Sequence, residues 1–153
     1  SVRLSIAGDG PERAGAEREV AKRGLATVRF LGHVTGAEKI KAFTDGGIYL
    51  FTSLSEGMPT SVLEAMAFGL PVVTRPVGGI RDFFEDGRMG FAVDSDDPAD
   101  FADALARLVD DSGLRQRMGE YNRGYAREHF RASQVSARLL AIYEQIGSPS
   151  ARS

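Results

Sequence analysis

Short apolar runs, each stopped by a glycine-rich or polar turn and most followed by a helix-compatible stretch, restrict this chain to a small set of folds. Val2 to Ala7 ends at Gly8-Asp9-Gly10-Pro11, where Pro11 is expected in the first turn of a helix reaching about Arg23. Thr27 to Leu31 repeats the strand signal and stops at Gly32, and Gly36 to Thr44 reads as a helix ending before Gly46-Gly47. Ile48 to Thr52 is a third strand, Ser61 to Phe68 a helix stopped by Gly69 and Pro71, and Val72 to Thr74 a fourth strand. Gly90 to Val93 gives a fifth, and Asp97-Pro98 opens a helix with Phe101, Leu105, Leu108 and Val109 on one face. Helices over roughly Leu114 to His129 and Ser133 to Ile146 complete the pattern. Their Leu139, Leu140 and Ile142 are expected to be core, or a cover for a further domain. Such alternation predicts an α/β fold, a Rossmann-like parallel β-sheet flanked by helices with right-handed crossovers. Ligands of these sheets bind beyond the carboxyl ends of the strands. Here those ends carry residues 8–11, 32–35, 53–60 and 75–80.

The 153 residues suit one domain, expected over 1–147, with 148–153 as a tail. No apolar run approaches the roughly 20 residues that span a bilayer, and membrane contact is not evident. Nineteen basic against 21 acidic residues leave a net charge of -2, so no whole-molecule field attracts nucleic acid. The chain has no cysteine, which removes disulfides and thiolate chemistry and suits the cytoplasm.

The densest stretch runs from Glu56 to Val73, with carboxylates at 56 and 64. Gly57 lets backbone come close to a ligand, and the amides of Met58, Pro59, Thr60 and Ser61 fall where a helix start offers donors to an anion such as a diphosphate, proline itself contributing none. Glu64, early in the helix, can accept both hydroxyls of a ribose. Glu56 can hold the hydroxyls of a sugar. The plain alternative for Glu64 is a capping box with Ser61, and for Glu56 a solvated loop acid. Arg75 and Arg81 flank a glycine pair and can reach a phosphate. Gly8-Asp9-Gly10-Pro11-Glu12-Arg13 departs from a dinucleotide fingerprint at Arg13, and Asp94-Ser95-Asp96 reads as the solvated approach to a helix rather than a metal site.

Glu56 through Glu64 matches a Glu-x7-Glu signature, and the chain thereby resembles the C-terminal, nucleotide-sugar donor-binding domain of retaining GT-B-fold glycosyltransferases, the group 1 or family 4 type. Leu4 to Pro11, Phe30-Leu31-Gly32-His33-Val34, Val77-Gly78-Gly79-Ile80, Asp86-Gly87 and Gly90-Phe91-Ala92-Val93 resemble further landmarks of that family, in order. The resemblance implies that Glu64 binds the ribose and Glu56 lies beside the donor sugar. It implies that Gly57 to Thr60 contact sugar and diphosphate, that Gly32, His33 and Val34 lie near the base, and that Gly8 and Gly10 line the cleft. The implied activity is hexose transfer from a UDP-, GDP- or ADP-sugar to a glycan or lipid-linked acceptor, with neither metal ion nor cofactor. The family's preceding strand, with an Arg and a Lys for the phosphates, and the N-terminal acceptor domain would lie before Ser1. The expectation is therefore donor binding without transfer by this stretch alone, in the cytoplasm or at the inner membrane through the missing domain. The rival expectations are a non-catalytic nucleotide-binding or structural module and a sugar-nucleotide epimerase-like enzyme.

Overall fold

The computed structural model describes residues 2–147, so the expected tail at 148–153 lies outside the described residues. The chain forms two compact units, divided after Gly46.

In the first, β1 (Leu4–Ala7) pairs in parallel with β2 (Val28–Gly32), and α1 (Arg13–Lys22) and α2 (Gly36–Asp45) follow the two strands. The Gly8 N–H donates to the Gly32 carbonyl at 2.8 Å, which joins the two strand ends. Helix α1 starts two residues after Pro11. The Arg13 N–H donates to the Gly10 carbonyl at 3.1 Å, closing a turn that holds Pro11 and Glu12 outside the helix. Surface ion pairs from Arg13 to Asp9 and Glu17 brace this corner. Gly32 is the one buried residue among the described residues of this unit.

The second unit holds β3 (Tyr49–Phe51), α3 (Thr60–Ala67), β4 (Val72–Thr74), a 3-10 helix (Gly78–Asp82), β5 (Gly90–Ala92), α4 (Pro98–Asp110), α5 (Ser112–His129) and α6 (Ala132–Gly147). Its sheet runs β3-β4-β5, all parallel, with Val72 opposite both Tyr49 and Gly90. Alternation along the central strand sends consecutive valines to opposite faces. Val73 joins Phe91, Val93, Phe101, Ala104, Leu108 and Met118, whereas Val72 joins Val62, Met66, Ile80, Met89 and Ala126. Helix α4 begins as expected, Asp97 accepting from the Ala99 N–H ahead of Pro98. Near the end of the second core, the Tyr121 hydroxyl donates to Glu85 at 2.7 Å while Arg88 pairs with the same carboxylate, and together they hold it below the usual carboxylate range.

The expected α/β class and parallel pairing are present, but the strands form two sheets, of two and three strands, rather than one. Leu108 is buried core, while Leu139, Leu140 and Ile142 are about half exposed (50%, 59% and 50%), so the α6 face is uncovered.

Candidate functional site

Strand β3 delivers the chain to a loop, Thr52 to Pro59, that leads into α3. The loop is tightened where the Ser53 hydroxyl donates to the Ser55 carbonyl at 3.2 Å. Pro59, buried and extended (φ -74°, ψ 100°), is the N-cap, and its own side chain makes no cap hydrogen bond. Ser61 is therefore not the N-cap that a Ser61–Glu64 capping box requires. The helix starts at Thr60, one residue earlier than expected, so Ser61 falls inside the first turn, where its hydroxyl no longer stands at the capping position. The leading amides of α3 carry the donor character of a helix N-terminus.

Glu64 sits in the second turn of α3. It is half-buried, its Oε2 is buried, and it shares a cavity of about 440 Å³ with Thr60, Leu63, Arg123, Arg127 and Phe130. Of the candidates, Thr60 and Glu64 line this cavity; Glu56, Gly57, Met58, Pro59 and Ser61 are not among its walls. Glu56 and Gly57 are exposed on the loop, and Met58 is 47% exposed. The Gly57 carbonyl accepts the Gly79 N–H at 2.7 Å, tying the loop to the 3-10 helix.

The arginines of the cavity were not singled out from the sequence. Arg123 and Arg127, four residues apart, share one face of α5, a spacing that was the legible signal, and Arg131 follows in the junction before α6. Arg123 also donates to the Phe68 carbonyl at 2.9 Å, joining α5 to the end of α3.

The two arginines that were singled out have protein partners. Arg75 donates to the Thr52 carbonyl at 3.3 Å, pairs with Asp96 at 3.0 Å and lies over the Phe101 ring at 5.1 Å. Arg81 donates to the Pro76 carbonyl. Within Asp94-Ser95-Asp96, Asp96 pairs with Arg75 and the Ser95 hydroxyl accepts the Asp97 N–H, so the segment serves the α4 start. In the first unit, Gly8, Gly10, Gly32, His33 and Val34 cluster at the ends of β1 and β2. Gly10 donates to Asp9 at 2.8 Å, Gly32 adopts φ +70°, His33 is exposed and Val34 half-buried. Among the described residues, no helix is long and apolar enough to cross a membrane.

Comparison with known proteins places this geometry in a lineage. Residues 1–125 match the family described as glycosyl transferases group 1. The chain is 32% identical to alpha-D-kanosaminyltransferase of Streptomyces kanamyceticus, over 93% of this chain and 37% of that protein. It is 38% identical to D-inositol 3-phosphate glycosyltransferase of Corynebacterium jeikeium, over 78% of this chain and 28% of that protein. Among solved structures, a TarM variant of S. aureus, crystallised with UDP among its ligands, superposes with a TM-score of 0.80 at 25% identity, covering 93% of this chain and 29% of that one. Anabaena HepE in complex with UDP-glucose shares the fold, with a TM-score of 0.83 at 20% identity over 94% of this chain and 41% of that one. The chain thus spans 37% and 28% of the length of these two curated relatives. With several ordered motifs, a family match over most of its length and a relative of this similarity, the chain belongs to the glycosyl transferases group 1 family and is a GT-B glycosyltransferase domain.

Proposed function

We propose that this chain is the nucleotide-sugar donor-binding part of a retaining hexosyltransferase, and that it binds a nucleoside-diphosphate sugar without transferring the sugar by itself. The observation that carries the reading is the place of Glu64: it stands half-buried just behind the leading amides of α3 and lines a cavity edged by arginines. A carboxylate so placed can accept the two hydroxyls of a ribose, while the amides from Gly57 to Ser61, Pro59 excepted, face the diphosphate. UDP is the favoured nucleotide, supported by the UDP in the TarM crystal and the UDP-glucose in the HepE crystal.

In the proposed reaction Glu56 orients the donor sugar through its hydroxyls. Charge develops on the departing diphosphate, and aligned amides with nearby cations stabilise it, so neither a protein nucleophile nor a metal ion is needed. Arg75 and Arg81 would have to leave Asp96 and Pro76 to take part. The cluster at Gly8, Gly10 and Gly32 to Val34 is a further candidate for ligand contact. The longer chain would supply a preceding strand with an Arg and a Lys, and the acceptor-binding domain for a glycan or lipid-linked acceptor.

Calorimetric titration with UDP, GDP and ADP tests the reading. One of the three binds, and Glu64→Ala weakens that binding about 10- to 100-fold, the worth of a charge-assisted hydrogen bond. Equal affinity in the two proteins removes Glu64 from the site.

A further inference from the structure

We infer that Gly78 and Gly79 are positioning residues that seat the Glu56–Met58 loop, so that the backbone of the 3-10 helix sets where the sugar- and phosphate-facing groups of that loop stand. The inference rests on the donor-binding reading above for its ligand, and on geometry for everything else.

Gly78 adopts φ +52°, a conformation side chains disfavour. A Cβ on it would overlap the carbonyl oxygens of Glu56 and Gly57 and stand 2.8 Å from the Glu56 carbonyl carbon. The peptide after Glu56 therefore rests directly on the backbone of Gly78. One residue on, the Gly79 N–H donates to the Gly57 carbonyl at 2.7 Å, and a Cβ at 79 would stand 2.5 Å from the Met58 Cε. Three consecutive loop residues, 56 to 58, are thus held by two consecutive glycines.

The seat is firmer than the loop. Ile80 is fully buried among Val62, Met66 and Met89, the Ile80 N–H donates to the Val77 carbonyl at 3.2 Å, and the Ile80 carbonyl accepts from Phe84 at 2.9 Å. Glu56, Gly57 and Met58 are exposed. A side chain introduced at 78 will therefore move the loop rather than the 3-10 helix, because displacing Ile80 would disturb close-packed core. The two positions also differ in kind: the neighbours of Gly78 are backbone atoms with nowhere to go, while Gly79 meets the far end of a flexible side chain.

Gly78→Ala is the test, read by nucleoside-diphosphate titration with UDP, GDP and ADP and by amide hydrogen exchange. The Gly79 amide, which reports loop docking, is expected to exchange at least about tenfold faster, α3 amides such as Met66 are expected to keep their rate, and diphosphate affinity is expected to fall about tenfold or more. Affinity within twofold of the unchanged chain, or an unchanged Gly79 exchange rate, overturns the inference. If Gly78→Ala loosens α3 as well, Gly79→Ala decides: a loss of about threefold, restored by adding Met58→Ala, supports positioning, and equal affinity in all three overturns it. If the unchanged chain binds none of the diphosphates, the donor-binding reading fails, while the Gly79 exchange rate still reports whether Gly78 holds the loop.

Discussion

At the scale of single residues, Arg75 shows how a group suggested for a ligand is occupied by the protein. Its side chain is 14% exposed, lies across Phe101 and links the end of β3 to Asp96. Asp96 is 92% exposed, so the ion pair itself adds little; packing over the ring and the bond to the Thr52 carbonyl carry the stabilisation. Arg75→Ala is expected to lower stability by about 1 kcal/mol in urea unfolding while leaving diphosphate affinity unchanged. A tenfold loss of affinity at unchanged stability would give Arg75 to the phosphate. The sequence showed an arginine beside glycines but not its partners, because Thr52, Asp96 and Phe101 are brought to it only by the tertiary fold. Glu64 was legible as an acid early in a helix. That the helix starts at Thr60 with Pro59 as its N-cap is a shift of one residue that a pattern of apolar spacing does not resolve.

At the scale of elements, the strands and helices were readable because their apolar periodicity and their Gly, Pro and Asp boundaries agree. The 3-10 helix at Gly78–Asp82 was not: two consecutive glycines read as loop, and the turn forms because Ile80 buries in a core cluster with residues distant in sequence, such as Val62 and Ala126. Helix α5 gives a second case. Asn122 is fully buried, and its amide donates at 2.8 Å to the carbonyls of Leu70 and Met89, at the entrances to β4 and β5. A polar residue in a mainly polar helix gave no hint of this clamp. The Met89 carbonyl also accepts from the Val72 N–H, whereas the Leu70 carbonyl accepts from the Asn122 amide. Asn122→Ala is therefore expected to cost about 2–3 kcal/mol, the sum of an unsatisfied buried carbonyl and a small void, seen as a lower urea midpoint at constant slope. A change below about 0.5 kcal/mol would mean that Asn122 clamps nothing.

At the scale of the whole molecule, one central strand organises the second unit: Val72 and Val73 divide its core into two layers, and α3 rides on one of them with Val62, Ala65 and Met66 buried. The start of α3 is therefore fixed by core packing, and the loop before it by the glycines at 78 and 79. The order of strands and helices predicted the α/β class and the parallel pairing; it did not predict two sheets, because periodicity reports that a strand exists and is silent on which edge finds a partner. The central claim is that the helix start and Glu64 together take a nucleoside diphosphate. Its most direct test is a map of backbone amide chemical shifts in the 153-residue chain during titration with UDP, GDP and ADP. The account predicts that one of them shifts the amides of Gly57, Met58, Thr60, Ser61 and Glu64 most strongly, in proportion to its occupancy. Saturating ligand that leaves those five amides in place, or moves a different part of the chain instead, would contradict it.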